Sequence, residues 1–409
     1  MDGGGAVNKS SGVNATNSSA GNGAKSGSSS GGSGYNAGGG GGAGGFVEIY
    51  TNSDLSSITL TDAFISSYRN NIYNVVQDDN YEYSNNDIEI STNSNNVNTF
   101  SKITAISNNQ ITITDKSIGD ITGDFAINDE IMLYNSNTQD PNEVGIYEFH
   151  KITNIVNDNL ILDENISLKF KPEVTQVVKI LSYNYLKVNN GVTISPKQYD
   201  GYKGGIIVIK AKKIDLYGKI DVSFLGYRVG YNSPTNGGSQ ASGNPSIAGG
   251  SNKYRGGNGG TNYQGYYGAS KAQVGNKNLR SINRIYMGGG SANNTFGGGI
   301  IYIISDELNT YSEYPLSSNG KGGNNMSGGG AGGTILIKSK NINLTEQYKN
   351  YFVSANGGGG AGEMLSGSTY PKYNGVDGNN IKGGNGAGGN GGSVPGNGVG
   401  SNGRRRCSK

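Results

Sequence analysis

Short aliphatic runs, interrupted by polar residues at every second or third place, mark the chain as a succession of β-strands. The clearest run, Gly204-Gly205-Ile206-Ile207-Val208-Ile209-Lys210-Ala211-Lys212-Lys213-Ile214-Asp215-Leu216, recurs as Gly332-Gly333-Thr334-Ile335-Leu336-Ile337-Lys338-Ser339-Lys340-Asn341-Ile342-Asn343-Leu344. Weaker copies begin at Gly298-Gly299-Ile300 and Gly44-Gly45-Phe46. One unit explains all four: a strand rich in β-branched residues and buried on one or both faces, a return strand, and a glycine-rich excursion.

A second repeat lies between the first two units. Lys102-Ile103-Thr104-Ala105-Ile106-Ser107-Asn108-Asn109-Gln110-Ile111-Thr112-Ile113 matches Lys151-Ile152-Thr153-Asn154-Ile155-Val156-Asn157-Asp158-Asn159-Leu160-Ile161-Leu162. Asn and Asp tolerate the positive φ of tight turns, so each copy is expected to be a β-hairpin. Gly123-Asp124 and Asn128-Asp129-Glu130 are expected at corners of the same small barrel-like module. Asp62, ahead of Phe64, Ile65, Tyr68 and Ile72, fits the cap of one short helix. The predicted fold is all-β: repeated strand units, sandwich-like or solenoid-like, with long glycine-rich excursions and an inserted barrel-like module. The expected divisions are 1–45, a flexible Gly/Ser/Asn segment; 46–96, the first β unit; 97–182, the inserted module; 183–362, the glycine-rich β repeats; and 363–409, a glycine-rich tail with a basic end.

Glycine supplies 72 of 409 residues, far above the ordinary share of about 7%. Ordering so much glycine costs more backbone entropy than ordering any other residue, so the tracts are either unstructured or held by dense backbone hydrogen bonding. Collagen is excluded. The three-residue phase holds only over Gly383, Gly386, Gly389 and Gly392, and the 8 prolines are scattered. Laterally paired segments of polyproline II type fit the composition. The GG-Ile-x-Ile strands with glycine-rich returns resemble glycine-rich repeat proteins of bacterial surfaces, and stretches 230–299 and 317–333 resemble glycine-rich adhesins of phage fibre tips. The Asn, Ile, Lys and Tyr bias is similar to that of virion proteins of AT-rich giant DNA viruses. These resemblances imply a non-enzymatic structural or surface component.

The 33 basic and 30 acidic residues leave a formal charge of +3, too balanced to imply a specific nucleic-acid or membrane partner. Arg404, Arg405 and Arg406 with Lys409 form the one basic run and read as a solvated tail. No apolar run approaches the length of a membrane span. A single cysteine, Cys407, excludes an intramolecular disulfide and a thiolate zinc site. Met1-Asp2-Gly3-Gly4-Gly5 has no signal-peptide pattern, so the expected location is a virion, with a signal-independent route to the cell surface as the alternative.

Candidate chemistry is sparse. His150 is the one histidine, and its place at the start of a strand favours a structural role. Matches to Gly-x-Gly-x-x-Gly precede no predicted helix, so nucleotide binding is not expected. Asp129 with Glu130, and Asp163 with Glu164, are adjacent and would point to opposite faces of a strand. Val376-Asp377-Gly378-Asn379-Asn380 lacks the alternating carboxylates of a calcium loop. No catalytic residue, cofactor or metal is assigned.

Tyrosine, at 27 residues, is the suggestive type. Tyr227, Tyr231, Tyr254, Tyr263, Tyr266, Tyr267 and Tyr286 are interleaved with Gly, Asn and Ser, a mixture that pairs rigid amphipathic rings with adaptable polar groups. Tyr254, Tyr263, Tyr266 and Tyr267 are the candidate contacts for a glycan or receptor. The plainer reading has tyrosines packing between the excursions. The expected partners are copies of the chain, other particle or surface proteins, and a host glycan or receptor. Two alternatives stand beside this reading: a polysaccharide depolymerase on a β-helix, its carboxylates drawn from distant coils, and a carbohydrate-binding adhesin.

Overall fold

The structure is a computed structural model that describes residues 41–55, 81–136, 143–227, 250, 252, 284–291, 295–323, 328–349, 351–360 and the short pairs at 362–363, 372–373 and 404–405. In chain order, β1 (Phe46–Tyr50) and β2 (Asp87–Ile90) precede the strands β3 (Phe100–Ser107), β4 (Gln110–Ser117), β5 (Glu130–Asn135), β6 (Tyr147–Val156), β7 (Asn159–Leu162) and β8 (Thr175–Lys179). Then long and short strands alternate: β9 (Leu181–Val188), β10 (Thr193–Ile194), β11 (Ile206–Leu216), β12 (Lys219–Asp221), β13 (Ile300–Thr310), β14 (Leu316–Ser317), β15 (Thr334–Leu344) and β16 (Val353–Ser354). The pair β17 (Gly362–Glu363) and β18 (Lys372–Tyr373) and the strand β19 (Arg404–Arg405) complete the set. The one helical element among the described residues is a 3-10 turn at Glu346–Tyr348. The predicted helix at Asp62 lies outside the described residues.

The fold is a short parallel solenoid. Long strands stack in the order β19-β1-β15-β13-β11-β9-β2, and the short ones in the order β10-β12-β14-β16. Every pairing in both stacks is parallel and in register, with Ile209 beside Ile303 and Ile303 beside Ile337. The return strand of each unit thus enters a second sheet instead of pairing back on the first. Burial follows from the repeat: Ile207, Ile209, Ile301, Ile303, Ile335 and Ile337 fill the interior between the sheets. β1 lies beside β15, so the path runs from β1 near one end of the stack to β2 at the other and then winds back.

A corner divides β9, β11, β13 and β15. Pairing skips Lys212, Asp306 and Lys340, which stand at one level of the stack. Side-chain parity changes there: Ile207, Ile209 and Ala211 face the interior before it, and Ile214 and Leu216 after it. Before the corner, the outer face (Ile206, Val208, Ile300, Tyr302, Ile304 and Leu336) is covered by Phe100, Met132, Tyr134 and Val178. Those four belong to a closed barrel, β3-β4-β7-β6-β5-β8, inserted between β2 and β9. The β3–β4 and β6–β7 hairpins turn at Asn108 (φ 50) and Asn157 (φ 54), and Gly123 (φ 59) and Asn128 (φ 73) take corners of the barrel. Lys210 of β11 pairs with Glu130 of β5, tying barrel to solenoid.

The glycine tracts form a backbone lattice between the short strands and the next long ones. Gly42 N–H donates to Gly358 O, Gly358 to Gly330 O, Gly250 to Gly329 O, Gly288 to Gly298 O and Gly298 to Ala331 O, each at 2.8 Å. The segments lie so close that a Cβ on Gly298 would stand 2.3 Å from Ser318 O, and one on Gly330 would stand 1.9 Å from Phe296 O. The absence of side chains is what permits this lateral pairing. Residues 41–45 of the segment expected to be flexible are buried in this lattice, because their amides find carbonyl partners that offset the entropy of ordering. The backbone of Arg404–Arg405 pairs in parallel with Phe46 and Val47 of β1.

Between β10 and β11 the excursion is short and is held by a turn. Asp200 Oδ1 accepts from the backbone of Tyr202 and Lys203 at 2.9 and 3.0 Å, and Oδ2 lies 3.0 Å from Lys203 Nζ. Burial opposes the charged form of Asp200, but the backbone donors and the Lys203 ammonium outweigh it and hold the carboxyl below its usual range. A carboxyl depressed in the folded state contributes stability above its unfolded pKa, near 3.9, and that contribution fades as pH falls through the folded value. Asp200→Asn is therefore expected to lower the melting temperature at pH 7 and to leave no difference from wild type once both are acidified below the carboxylate range. A deficit that persists unchanged at acid pH would contradict this assignment.

Candidate functional site

Past the corner, the outer face of the long sheet leaves the barrel's cover, and strict register turns single side chains into rows. Asp87, Tyr185, Lys213, Glu307 and Asn341 form one row across five strands, and Glu89, Lys187, Asp215, Asn309 and Asn343 form the next. Inward residues between them, Leu186, Ile214, Leu308 and Ile342, anchor the rows on the core.

The rows are cross-linked. Asp215 Oδ2 accepts from the Tyr185 phenol at 2.7 Å and Oδ1 from Asn309 Nδ2 at 2.7 Å. Asn309 Nδ2 also donates to Glu307 Oε1, and Asn343 Nδ2 to Asn309 Oδ1, both at 2.7 Å. Lys213 Nζ lies 3.4 Å from Glu307. At the β2 end, Glu89 Oε1 receives Lys187 Nζ at 3.1 Å and Asn189 Nδ2 at 2.8 Å. These two donors, Asn189 first, hold the Glu89 carboxyl below its ordinary value. Burial, reinforced by the Asp215 carboxylate, raises the Tyr185 phenol well above its usual value.

Tyrosines border the rows. Tyr217 and Tyr311 follow β11 and β13 directly and stack with ring centroids 4.2 Å apart and planes 9° from parallel. Lys187 Nζ lies 5.9 Å from the Tyr217 ring, and Tyr311 is 40% exposed. Burial, with Asp215 next, raises the Tyr311 phenol. Around the turn, Tyr314 and the half-exposed Tyr351 meet at 5.4 Å. The face thus presents carboxylates, amides, ammonium groups and aromatic rings side by side. Sugar hydroxyls both donate and accept, and sugar rings pack on aromatic ones, so a polyhydroxylated ligand is the chemistry this face suits.

The four tyrosines singled out from the sequence, Tyr254, Tyr263, Tyr266 and Tyr267, lie outside the described residues, as does Tyr231. Tyr227 and Tyr286 are buried, and Tyr227 packs edge-on against Tyr199 at 5.2 Å; for these two the plainer packing reading holds. His150 is buried in β6, with Nε2 3.1 Å from Glu148 and Nδ1 3.5 Å from Asp163. Asp129 pairs with Lys179, while Glu130 turns to Lys210. Among the described residues no group of three His, Cys, Asp or Glu side chains is placed to hold a metal ion, and no helix is long and apolar enough to cross a membrane. The outer-face residues were missed because they lie in different copies of the repeat. Aligning the strand copies by their paired glycines would have set Lys213, Glu307 and Asn341 in one column.

No protein-family model and no curated protein sequence matches the chain. Among solved structures, the chain is similar to the tailspike of Acinetobacter baumannii bacteriophage AP22, solved in complex with A. baumannii capsular saccharide (8% identity, 43% of this chain and 28% of that one, TM-score 0.16). It is also similar to the tailspikes of Pseudomonas phage LKA1 (10% identity, 40% and 28%, TM-score 0.17) and Pseudomonas phage phi297 (12% identity, 40% and 32%, TM-score 0.16). The chain thus spans less than a third of the length of each of these tailspikes.

Proposed function

We propose that the protein is a non-enzymatic structural component of a virion surface, a rigid solenoid that assembles through strand edges and glycine segments and engages a host glycan. The observation that carries this reading is the cross-linked outer face, where two in-register polar rows run beside the Tyr217–Tyr311 stack. The glycine lattice stiffens the solenoid. Both Asp215 oxygens are already engaged by Tyr185 and Asn309, and the residue is buried, which suits a group that orders the neighbouring side chains better than an attacking one.

One observation favours the depolymerase alternative. Asn309 Nδ2 is hydrogen-bonded to both Asp215 and Glu307, so these carboxylates stand near the separation of about 5 Å used in retaining glycoside hydrolysis. A glycan array followed by a reducing-end assay separates the readings. The proposal expects capture of a glycan without cleavage, and Tyr311→Ala is expected to weaken capture about tenfold, the loss of one well-made contact, with the chain still folded. Release of reducing ends that disappears in Asp215→Asn or Glu307→Gln would overturn it in favour of the enzyme.

A further inference from the structure

The solenoid ends at β2, and among the described residues β2 pairs on one side only, with β9. Asn184 N–H donates to Asn86 O and Asn189 N–H to Ile90 O, so the even-numbered residues of β2 turn their backbone groups toward β9. Alternation leaves the N–H and C=O of Asp87 and Glu89 on the outward edge. The side chains at this edge carry a definite pattern. Ile88 is half-buried against the interior, whereas Asp87 and Glu89 are exposed on the outer face. The two donors to Glu89 share Oε1, and the Asn184 amide uses Asp87 Oδ1. β9 shows what such a strand accepts as a neighbour: Leu186 and Val188 beside Ile88 and Ile90, and Lys187 beside Glu89.

We propose that the outward edge of β2 is a strand-addition site for an extended basic segment of a partner protein, with aliphatic residues continuing the interior stack and Lys or Arg facing Asp87 and Glu89. A second β2 is a poor occupant, since two copies would bring four carboxylates together. A strand in parallel register gains the open backbone hydrogen bonds from the edge and its selectivity from the acidic pair. This inference rests on the reading of the protein as a surface component that assembles through strand edges, and it names which edge and which partner chemistry.

The probe is a fluorescent peptide with the sequence of Leu181–Val188, whose lysine corresponds to Lys187, titrated against the full chain by anisotropy beside a peptide with glutamate at that position. Binding of the lysine peptide is expected, with the glutamate peptide about fivefold weaker, as opposed charges across a strand pair imply. Glu89→Pro removes an outward N–H that β9 does not use and is expected to weaken binding about tenfold, the loss of one hydrogen bond. Glu89→Lys, which keeps the backbone intact, is expected to reverse the preference between the two peptides. Absence of binding, or binding that ignores both substitutions, would overturn the proposal; absence is also the outcome if the chain's own 56–80 segment fills this edge. Glycan capture by the wild-type chain is read in parallel. Capture retained without peptide binding removes only the edge site, whereas loss of capture in the wild type removes the surface-recognition reading itself.

Discussion

Gly333→Ala is expected to destabilise the protein by about 3 kcal/mol, the upper part of the range for forcing extra volume into a packed interior. The added methyl would stand 1.9 Å from Gly299 O and 2.3 Å from Ser318 Oγ. Neither can yield freely: Gly333 N–H donates to Ser318 O at 2.8 Å, and Ser318 Oγ donates to Gly299 O at 2.8 Å. Relief therefore requires moving backbone already bonded on several sides. Gly191→Ala is the matched control. Gly191 has φ 76 with open space around its absent Cβ, so alanine there meets only the left-handed penalty of about 1 kcal/mol. Urea denaturation of both variants measures the difference. Equal losses would mean that glycine matters here through conformational freedom and not through close approach.

Ile303→Ala is expected to cost about 3 to 4 kcal/mol. Ile303 is fully buried at the centre of the stack, flanked in register by Ile209 and Ile337. Strands on both sides are fixed by continuous ladders, so the void left by the lost carbons cannot close by sliding one strand, and little of the cavity term is recovered. Asn341→Ala, at an exposed site on the neighbouring strand, is expected to stay within about 0.5 kcal/mol. Equilibrium denaturation compares the two, and a loss at Ile303 no larger than at Asn341 would contradict an interior built as one aliphatic column.

The strand units were legible because their cause is local. Ile206–Leu216 and Thr334–Leu344 carry the same aliphatic pattern, and the two occupy equivalent places in one sheet. The hairpins were legible through Asn108 and Asn157, whose positive φ a short amide side chain tolerates. Neighbour choice was hidden. Nothing in Phe46–Tyr50 says that it lies beside β15 near one end of the stack, because in-register parallel stacking is decided by contacts distant in sequence. The outer face was hidden for a related reason. The corner at Lys212, Asp306 and Lys340 shifts side-chain parity by one residue, so plain alternation counted from Ile207 turns Asp215 and Asn309 inward. The glycine tracts left two states open from composition, and the carbonyl partners that select the lattice come from other tracts.

Amide hydrogen exchange across the glycine tracts tests the account most directly. If the tracts are a hydrogen-bonded lattice, the N–H groups of Gly42, Gly250, Gly288, Gly298, Gly330 and Gly358, each bonded to a backbone carbonyl, will exchange as slowly as those of β13 at the centre of the long sheet. Exchange at the rate of free glycine peptide, with β13 still protected, would contradict it and reduce these tracts to tethers between strands.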